Sequence, residues 1–394
     1  MAGTYIVAGA RTPIGKMSGG LSSFTAADLG GIAISAAMER AGVTPDQIDF
    51  VYMGHVILAA TGQLTARQAA VKAGIGLDKP ANTINKVCLS GMNTIYQADL
   101  MINAGDADIV VAGGMESMTN APYLLRGARG GFRYGDVAAE DAILADALTC
   151  AFELCTMGLS TERYSQAATI SREAQDEFAA LSHERAAAAI KDGKFADEIV
   201  PVPVPQRKGD PIMFDTDEGV RPGTTVESLG ALKPAFDKNG NVTAGNASQI
   251  SDGGSAVIVA SKAAVDRLGL NPIGEVLSYG QVSGPDTVSL LHQPSRAIRV
   301  ALEKKGMKLS DIDLFEMNEA FAAVSLAAMD DLGIGADITD VNGGAIALGH
   351  PVGMSGNRIT LTLLHELKRR GGGIGAASLC GGGGQGDAII VRSL

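Results

Sequence analysis

Cysteine is scarce in this chain: Cys88, Cys150, Cys155 and Cys380 are the only four in 394 residues. None forms a C-x-x-C pair and no His/Cys cluster has zinc spacing, so no metal site is expected. So few thiols in so long a chain fit a reducing compartment. Net positive charge is also missing. The formal charge of −11 argues against general affinity for nucleic acid or an anionic membrane surface. No apolar run approaches membrane-span length, and the segment from Met1 to Ala8 lacks a basic leader, so a cytoplasmic location is expected.

What is present is a globular composition, 46% apolar and 19% charged, with 51 glycines that imply many tight turns or close backbone approaches. The length allows two or three domains. A strand is predicted from Tyr5 to Ala8 and a helix from about Thr25 to Ala41-Gly42. A buried strand follows from Phe50 to Met53, a helix from Ala66 to Ala73, and a buried strand from Ala107 to Ala112. The stretch Lys86-Val87-Cys88-Leu89-Ser90-Gly91 lies between an extended run and an amphipathic helix with Ile95, Ala98, Leu100 and Met101 inward. Cys88 therefore sits at a helix N-terminus, where the dipole and free N–H groups favour a thiolate. Two readings fit it: a covalent nucleophile, or a small buried core residue.

From about Thr119 to Gln249 strands become scarce and charge rises, with a basic patch at Arg126, Arg129 and Arg133. Ser171 reads as the cap of a long helix with Phe178, Leu181 and Ala188 inward, ending at Asp192-Gly193. Pro201, Pro203 and Pro205 alternate with valines as on an edge strand or an extended segment. The region reads as a cap inserted into a core. A repeat then appears. The segment from Gly42 to Met53 resembles that from Gly306 to Met317 at an offset of 264, and Ser90-Gly91 matches Ser355-Gly356 at an offset of 265. Each is followed by a helix, a glycine and a strand, which implies a duplicated α/β unit. The expected fold is therefore layered α/β, with strands buried on both faces. Its boundaries fall at 1–118 plus 250–270 for one half, 119–249 for the insert, and 271–394 for the other half.

Corresponding loops of two such halves converge. That would bring Cys88 towards the Gly-rich loop Gly343 to Gly356, which carries His350, and towards Cys380-Gly381-Gly382-Gly383-Gly384 and Asn318 in Met317-Asn318-Glu319-Ala320-Phe321. A histidine beside a cysteine accepts the thiol proton, and a second thiol can act as acid or base. Glycine loops offer backbone N–H groups to an oxyanion. Taken singly, His350 fits a structural hydrogen bond, Asn318 a cap and Cys380 a buried thiol. Together they form a catalytic constellation.

These four stretches resemble the signature loops of the thiolase family, in family order, and the similarity covers essentially the whole chain. The resemblance implies two α/β halves with an inserted loop domain, and a two-step acyl transfer with coenzyme A thioesters as substrates and no bound cofactor. Cys88 would carry the acyl group, His350 would take its proton, and Cys380 would form the carbanion of a second acetyl-CoA. The product would be acetoacetyl-CoA and free CoA, with thiolysis as the reverse. Asn318 would hold a water beside His350, and the N–H groups of Cys88 and Gly382 would meet the other oxyanion. Met157, Arg221, Ser228, Phe236, Ala244, Ser248 and Phe321 would line the CoA site. A departure occurs at Thr156-Met157-Gly158, where short-chain members commonly have His-Met-Gly. Thr156 offers a hydroxyl in its place, directly or through water. Met157 favours a small acyl pocket, hence the short-chain, acetyl-transferring type. Degradative thiolysis of longer or branched 3-ketoacyl-CoA, a non-catalytic acyl-CoA binder, and a thiol redox or metal protein are the alternatives. The family's habit implies a homo-oligomer, dimer or tetramer.

Overall fold

The duplication seen in the residues reappears in the strand order of the computed structural model, which describes residues 3–394. The first half supplies β1 (Thr4–Arg11), β2 (Phe50–Gly54), β3 (Ala81–Ile84), β4 (Ile109–Ser117) and β5 (Ser251–Ser261). The second supplies β6 (Gly274–Ser283), β7 (Leu314–Met317), β8 (Gly373–Gly381) and β9 (Gln385–Ser393). The order is β1-β5-β4-β2-β3 in one half and β6-β9-β8-β7 in the other. Where the second half would place a fifth strand, Thr339 makes a lone parallel bridge to Phe315. In both halves the outer strands pair in parallel and the rest antiparallel. β1 and β6 pair antiparallel and join the halves into one sheet of ten strands, the tenth being the short Gly15–Lys16 beside β5.

Alternation along the strands decides which face each half turns inward. In β4, Ile109 and Val111 pack outward with helix α1 (Ala26–Ala41) and the shorter α2 (Thr65–Lys72). Val110 and Ala112 pack inward with α3 (Ser90–Ala104). Thr25 caps α1 in a capping box with Asp28, and Gly42 ends it in the left-handed region at φ 68°.

Residues 119–249 contribute no strand to the large sheet. They form α4 (Met157–Ala167), α5 (Arg172–Lys191) and two small two-stranded pairs. Val202–Val204, between the prolines, pairs with Ile212–Phe214. Ser171 caps α5 through Ala174 N–H. Of the residues predicted inward on α5, Phe178 is buried and Leu181 half-buried, but Ala188 faces solvent and Ala186 and Ala189 take its place. Likewise Leu100 of α3 is exposed and Ile102 is the buried residue of that turn.

In the second half α6 (Gln293–Lys305) and α7 (Ala322–Leu332) lie outside and α8 (Ser355–Arg369) inside. Helices α3 and α8 thus share one apolar layer with the inner faces of both half-sheets: Met92, Ile95, Ile359 and Leu363 pack with Val110, Val257, Leu379 and Ile389. They meet near their N-termini at the two glycines of the repeat. A Cβ on Gly356 would stand 2.5 Å from Met92 N, and one on Gly91 would stand 2.7 Å from Gly353 O. No helix among the described residues is long and apolar enough to cross a membrane.

Candidate active site

Cys88 is set two residues before α3 by a strained turn. Val87, a β-branched residue, sits at φ 51°. Ser90 Oγ holds that turn, accepting from Lys86 N–H at 2.8 Å and donating to Val87 O at 2.6 Å. Lys86 Nζ reaches across to Asp387 of β9 at 2.7 Å, and Tyr279 OH donates to the same carboxylate at 2.6 Å. The nucleophile turn is therefore anchored to the second half.

The His350 loop is seated against the first half by close backbone approach. Gly353 O lies where side chains on Gly54, Gly91 or Gly114 would have to be. His350 N–H donates to Gln249 O at 3.1 Å, while Ser248 N–H donates to Ala320 O at 3.0 Å. The end of the insert thereby bridges the His350 loop and the Asn318 loop. Val352 shares an apolar cluster with Cys88, Val87 and Ile57. Asn318 Nδ2 faces His350 Nε2 at 3.5 Å, and its Oδ1 is buried without a protein partner. Cys380 ends β8 beside Met157, Ala320 and Phe321. After it the chain turns through Gly382, Gly383 and Gly384 into β9. The backbone N–H groups of Gly382 and of Cys88 itself both face the Cys88 sulfur. Cys88, Gly382, Cys380, His350 and Asn318 thus converge from four separate stretches of chain.

The charge states differ from the expectation of a thiolate at rest. Burial pushes the Cys88 thiol up to about 12, and the two N–H groups offset only part of that. Burial, and then the neighbouring Cys88, also push the Cys380 thiol above its ordinary range. The helix N-terminus is outweighed by desolvation, so both thiols rest neutral. His350 is pushed down to about 3, by burial first and then by the Arg358 cation. It is a neutral imidazole, and its tautomer follows from its partners. Ser355 Oγ donates to Pro351 O at 2.9 Å, so it accepts from His350 Nδ1–H at 2.6 Å. The Nε2 lone pair then points towards the site, with Asn318 Nδ2 as its donor neighbour at 3.5 Å. Ser355 appeared in the sequence only as half of a repeated dipeptide. A hydroxyl five residues after the histidine, at the next helix start, was the available signal.

The residues expected to line the CoA site divide into two groups. Met157 is buried beside Cys380 and Phe321. Phe236 is exposed, covers Gly158, and meets Phe321 edge-on with 6.4 Å between ring centroids. Ser248 is half-buried next to the Asn318 loop. These four belong to the convergence of loops. Arg221, Ser228 and Ala244 are exposed on the insert. The Ser228 hydroxyl donates to Thr225 O at 2.7 Å within its own short helix, and Arg221 N–H donates to His183 Nδ1 at 3.2 Å. Thr156 Oγ1 caps α4 by accepting Leu159 N–H at 3.3 Å, which leaves its own hydroxyl proton to donate.

Comparison with known proteins gives one answer. Residues 4–263 match the family model described as the thiolase N-terminal domain, and residues 270–393 match the thiolase C-terminal domain. The chain is 53% identical over 394 residues, the whole of both sequences, to a probable acetyl-CoA acetyltransferase of Mycobacterium leprae. It is 50% identical over 392 residues to an acetyl-CoA acetyltransferase of Cupriavidus necator, again covering all of both. Among solved structures, the acetyl-CoA acetyltransferase of Bacillus anthracis superposes with a TM-score of 0.97 at 39% identity, and human mitochondrial 3-ketoacyl-CoA thiolase with 0.96 at 42%. Each covers 100% of this chain and 99% of its own. Two half-sheets, four converging loops and matches over nearly all of its length make this chain a member of the thiolase family.

Proposed function

We propose that the protein joins two acetyl-CoA molecules into acetoacetyl-CoA and CoA, and runs the reverse thiolysis, through an acetyl group carried on Cys88. The observation that carries this reading is the convergence of two free thiols, half-buried Cys88 and buried Cys380, with the His350 imidazole and Asn318 at one site. His350 Nε2 takes the Cys88 proton as the sulfur attacks the thioester carbonyl. The carbon–sulfur bond to CoA then breaks, and Cys380 gives its proton to the departing CoA thiolate. A thiol held neutral by burial is suited to that first task, and giving up the proton turns it into the base for the second. The Cys380 thiolate removes a methyl proton from the incoming acetyl-CoA. The carbanion attacks the acetyl carbonyl, Cys88 leaves as thiolate, and His350 returns its proton. Every group ends as it began.

The Cys88 and Gly382 N–H groups serve one oxyanion, and His350 with a water on the free Oδ1 side of Asn318 serves the other. Met157, buried beside Cys380, closes the acyl pocket and favours a two-carbon group over the longer or branched chains of a degradative enzyme. Met157, Phe236, Phe321 and Ser248 flank the pantetheine arm, and Arg221, Ser228 and Ala244 lie further out along the insert. The chain works as a homo-oligomer in the cytoplasm. Exposed Tyr123, Leu125, Phe132 and Tyr134 on the insert support that assembly.

The test is labelled acetyl-CoA followed by peptide mapping, with thiolysis of acetoacetyl-CoA and of a longer 3-ketoacyl-CoA compared side by side. One acetyl group on Cys88, lost in Cys88→Ala and retained but unable to condense in Cys380→Ala, is the expected result. CoA binding without acetylation would leave a binding protein, and faster cleavage of the longer substrate would overturn the short-chain reading.

A further inference from the structure

Glu116 touches none of the reacting groups, yet it ends β4 fully buried and its carboxylate collects four donors. Oε2 accepts from Val56 N–H at 3.1 Å and from Gly353 N–H at 3.0 Å. Oε1 accepts from Ile57 N–H at 3.2 Å and lies 3.2 Å from His55 Nε2. His55 is itself held, with Nδ1 3.0 Å from Thr65 Oγ1. The donors come from two places that matter. Val56 and Ile57 form the wall packed against Cys88 and Val352. Gly353 lies in the loop between His350 and Ser355, in the other half of the chain.

We infer that Glu116 is a positioning residue for the acyl transfer proposed above: its carboxylate fastens the His350 loop to the wall of the Cys88 pocket and so sets the imidazole over the thiol. The inference rests on that reading. The residue type suits the task. A carboxylate is acceptor-only with about four lone-pair sites, which matches four converging donors. Glutamine would turn an N–H group against other N–H groups, and aspartate is one methylene short. The loop has other seats, His350 N–H on Gln249 O at 3.1 Å and Gly353 against three glycines, but the Glu116 carboxylate joins it to Val56 and Ile57 of the wall beside Cys88. Small displacements of a base and nucleophile are costly, on the order of 100-fold in rate per ångström.

The experiment is a double-mutant cycle on the single-turnover rate of Cys88 acetylation, using the full chain with wild type, Glu116→Gln, His350→Ala and both together. Glu116→Gln is expected to lower kcat on the order of 100-fold with KM for acetyl-CoA little changed. Its cost should vanish when His350 is already alanine, because a loop with no imidazole has nothing to aim. An equal fold-loss in both backgrounds, or a loss no greater than the fraction unfolded, overturns the inference. If Glu116→Gln is insoluble, His55→Leu removes one of the four donors and His55→Gln retains one. A loss in the first, rescue in the second, and no further loss on His350→Ala supports the positioning role, and any other pattern counts against it. A wild-type chain that never acetylates Cys88 sinks the thiolase mechanism itself, whereas acetylation with an additive cycle sinks only the role of Glu116.

Discussion

His350 receives a proton from a thiol that burial has pushed up to about 12, with a basicity of its own lowered to about 3. Such a pair stays neutral until a thioester arrives, so the residue that fixes the imidazole tautomer acquires weight. Ser355 does this by accepting Nδ1–H at 2.6 Å while its own proton is committed to Pro351 O. Ser355→Ala removes the acceptor and frees the ring to flip or take the other tautomer. A hydrogen bond of this kind contributes about 1 kcal/mol net, so acetylation should slow roughly 5-fold with KM unchanged. Single-turnover acetylation measures it, and an unchanged rate would show that the loop alone orients the ring. The lowered basicity has a second consequence. The imidazole is unprotonated at every pH well above about 3, so the acetylation rate should cross pH 6.5 without the inflection of an ordinary histidine. A sharp fall centred there would mean that water reaches the ring.

At the scale of helices, the site exists because α3 and α8 cross at glycines. On Gly91 a Cβ would stand 2.7 Å from Gly353 O and 2.9 Å from Asn357 N, both backbone atoms that cannot rotate away. Gly91→Ala should therefore cost about 1–3 kcal/mol as overpacking. It should also cost activity beyond the loss of folded protein, since the displaced atom belongs to the His350 loop. Gly42→Ala is the contrast. It strains a left-handed C-cap but meets nothing within 4 Å, so the urea midpoint should fall with acetylation per folded molecule intact.

The same crossing marks what could be read from the residues. The Ser-Gly dipeptides at Gly91 and Gly356 were legible because duplication leaves a register in the sequence. So were the capped ends of α1 and α5, whose Thr25 and Ser171 act locally. The four loops were legible because each is a compact motif. What could not be read was set by contacts across the halves or by burial: Gly353 among three glycines, Ser355 under His350, and the neutral Cys88 thiol, for which the helix-end argument has the right sign and too small a size. The capping role of Thr156 is of the local kind too, since a threonine before a helix accepts from its first turn. Ala188 and Leu100 missed by one or two positions along a helix face.

Across the whole molecule, three carboxyls lie buried just behind Asn318, within the electrostatic reach of the Arg358 guanidinium. Glu316 pairs with it at 2.9 Å, Glu319 accepts from Ser182 and Ile346, and Asp340 accepts Met317 N–H at 2.7 Å while its Oδ2 has no partner. Burial raises all three, Glu319 to about 7, Glu316 to about 8 and Asp340 well above its ordinary value, with mutual repulsion adding for Asp340 and Glu316. The folded protein therefore holds protons here that the unfolded chain has already released above about pH 4.5. Stability from these groups is full below the ordinary carboxylate range and is lost as pH rises towards 8. The buried histidines act in the opposite sense, but only below their unfolded value of 6.5: His350 and His183, pushed down to about 3 and about 4, cost stability as pH falls. Between pH 6.5 and 8.5 the carboxyls act unopposed. Unfolding free energy should fall across that window by up to about 1.4 kcal/mol per pH unit for each proton held. Asp340→Asn keeps the acceptor for Met317 N–H and removes one titrating group, so it should flatten the slope. Urea unfolding at pH 6.5, 7.5 and 8.5 reads both chains. A wild-type midpoint that is flat or rises with pH would mean that the three acids are ionised around a single arginine, and the neutral bed beneath Asn318 and His350 would be lost with it.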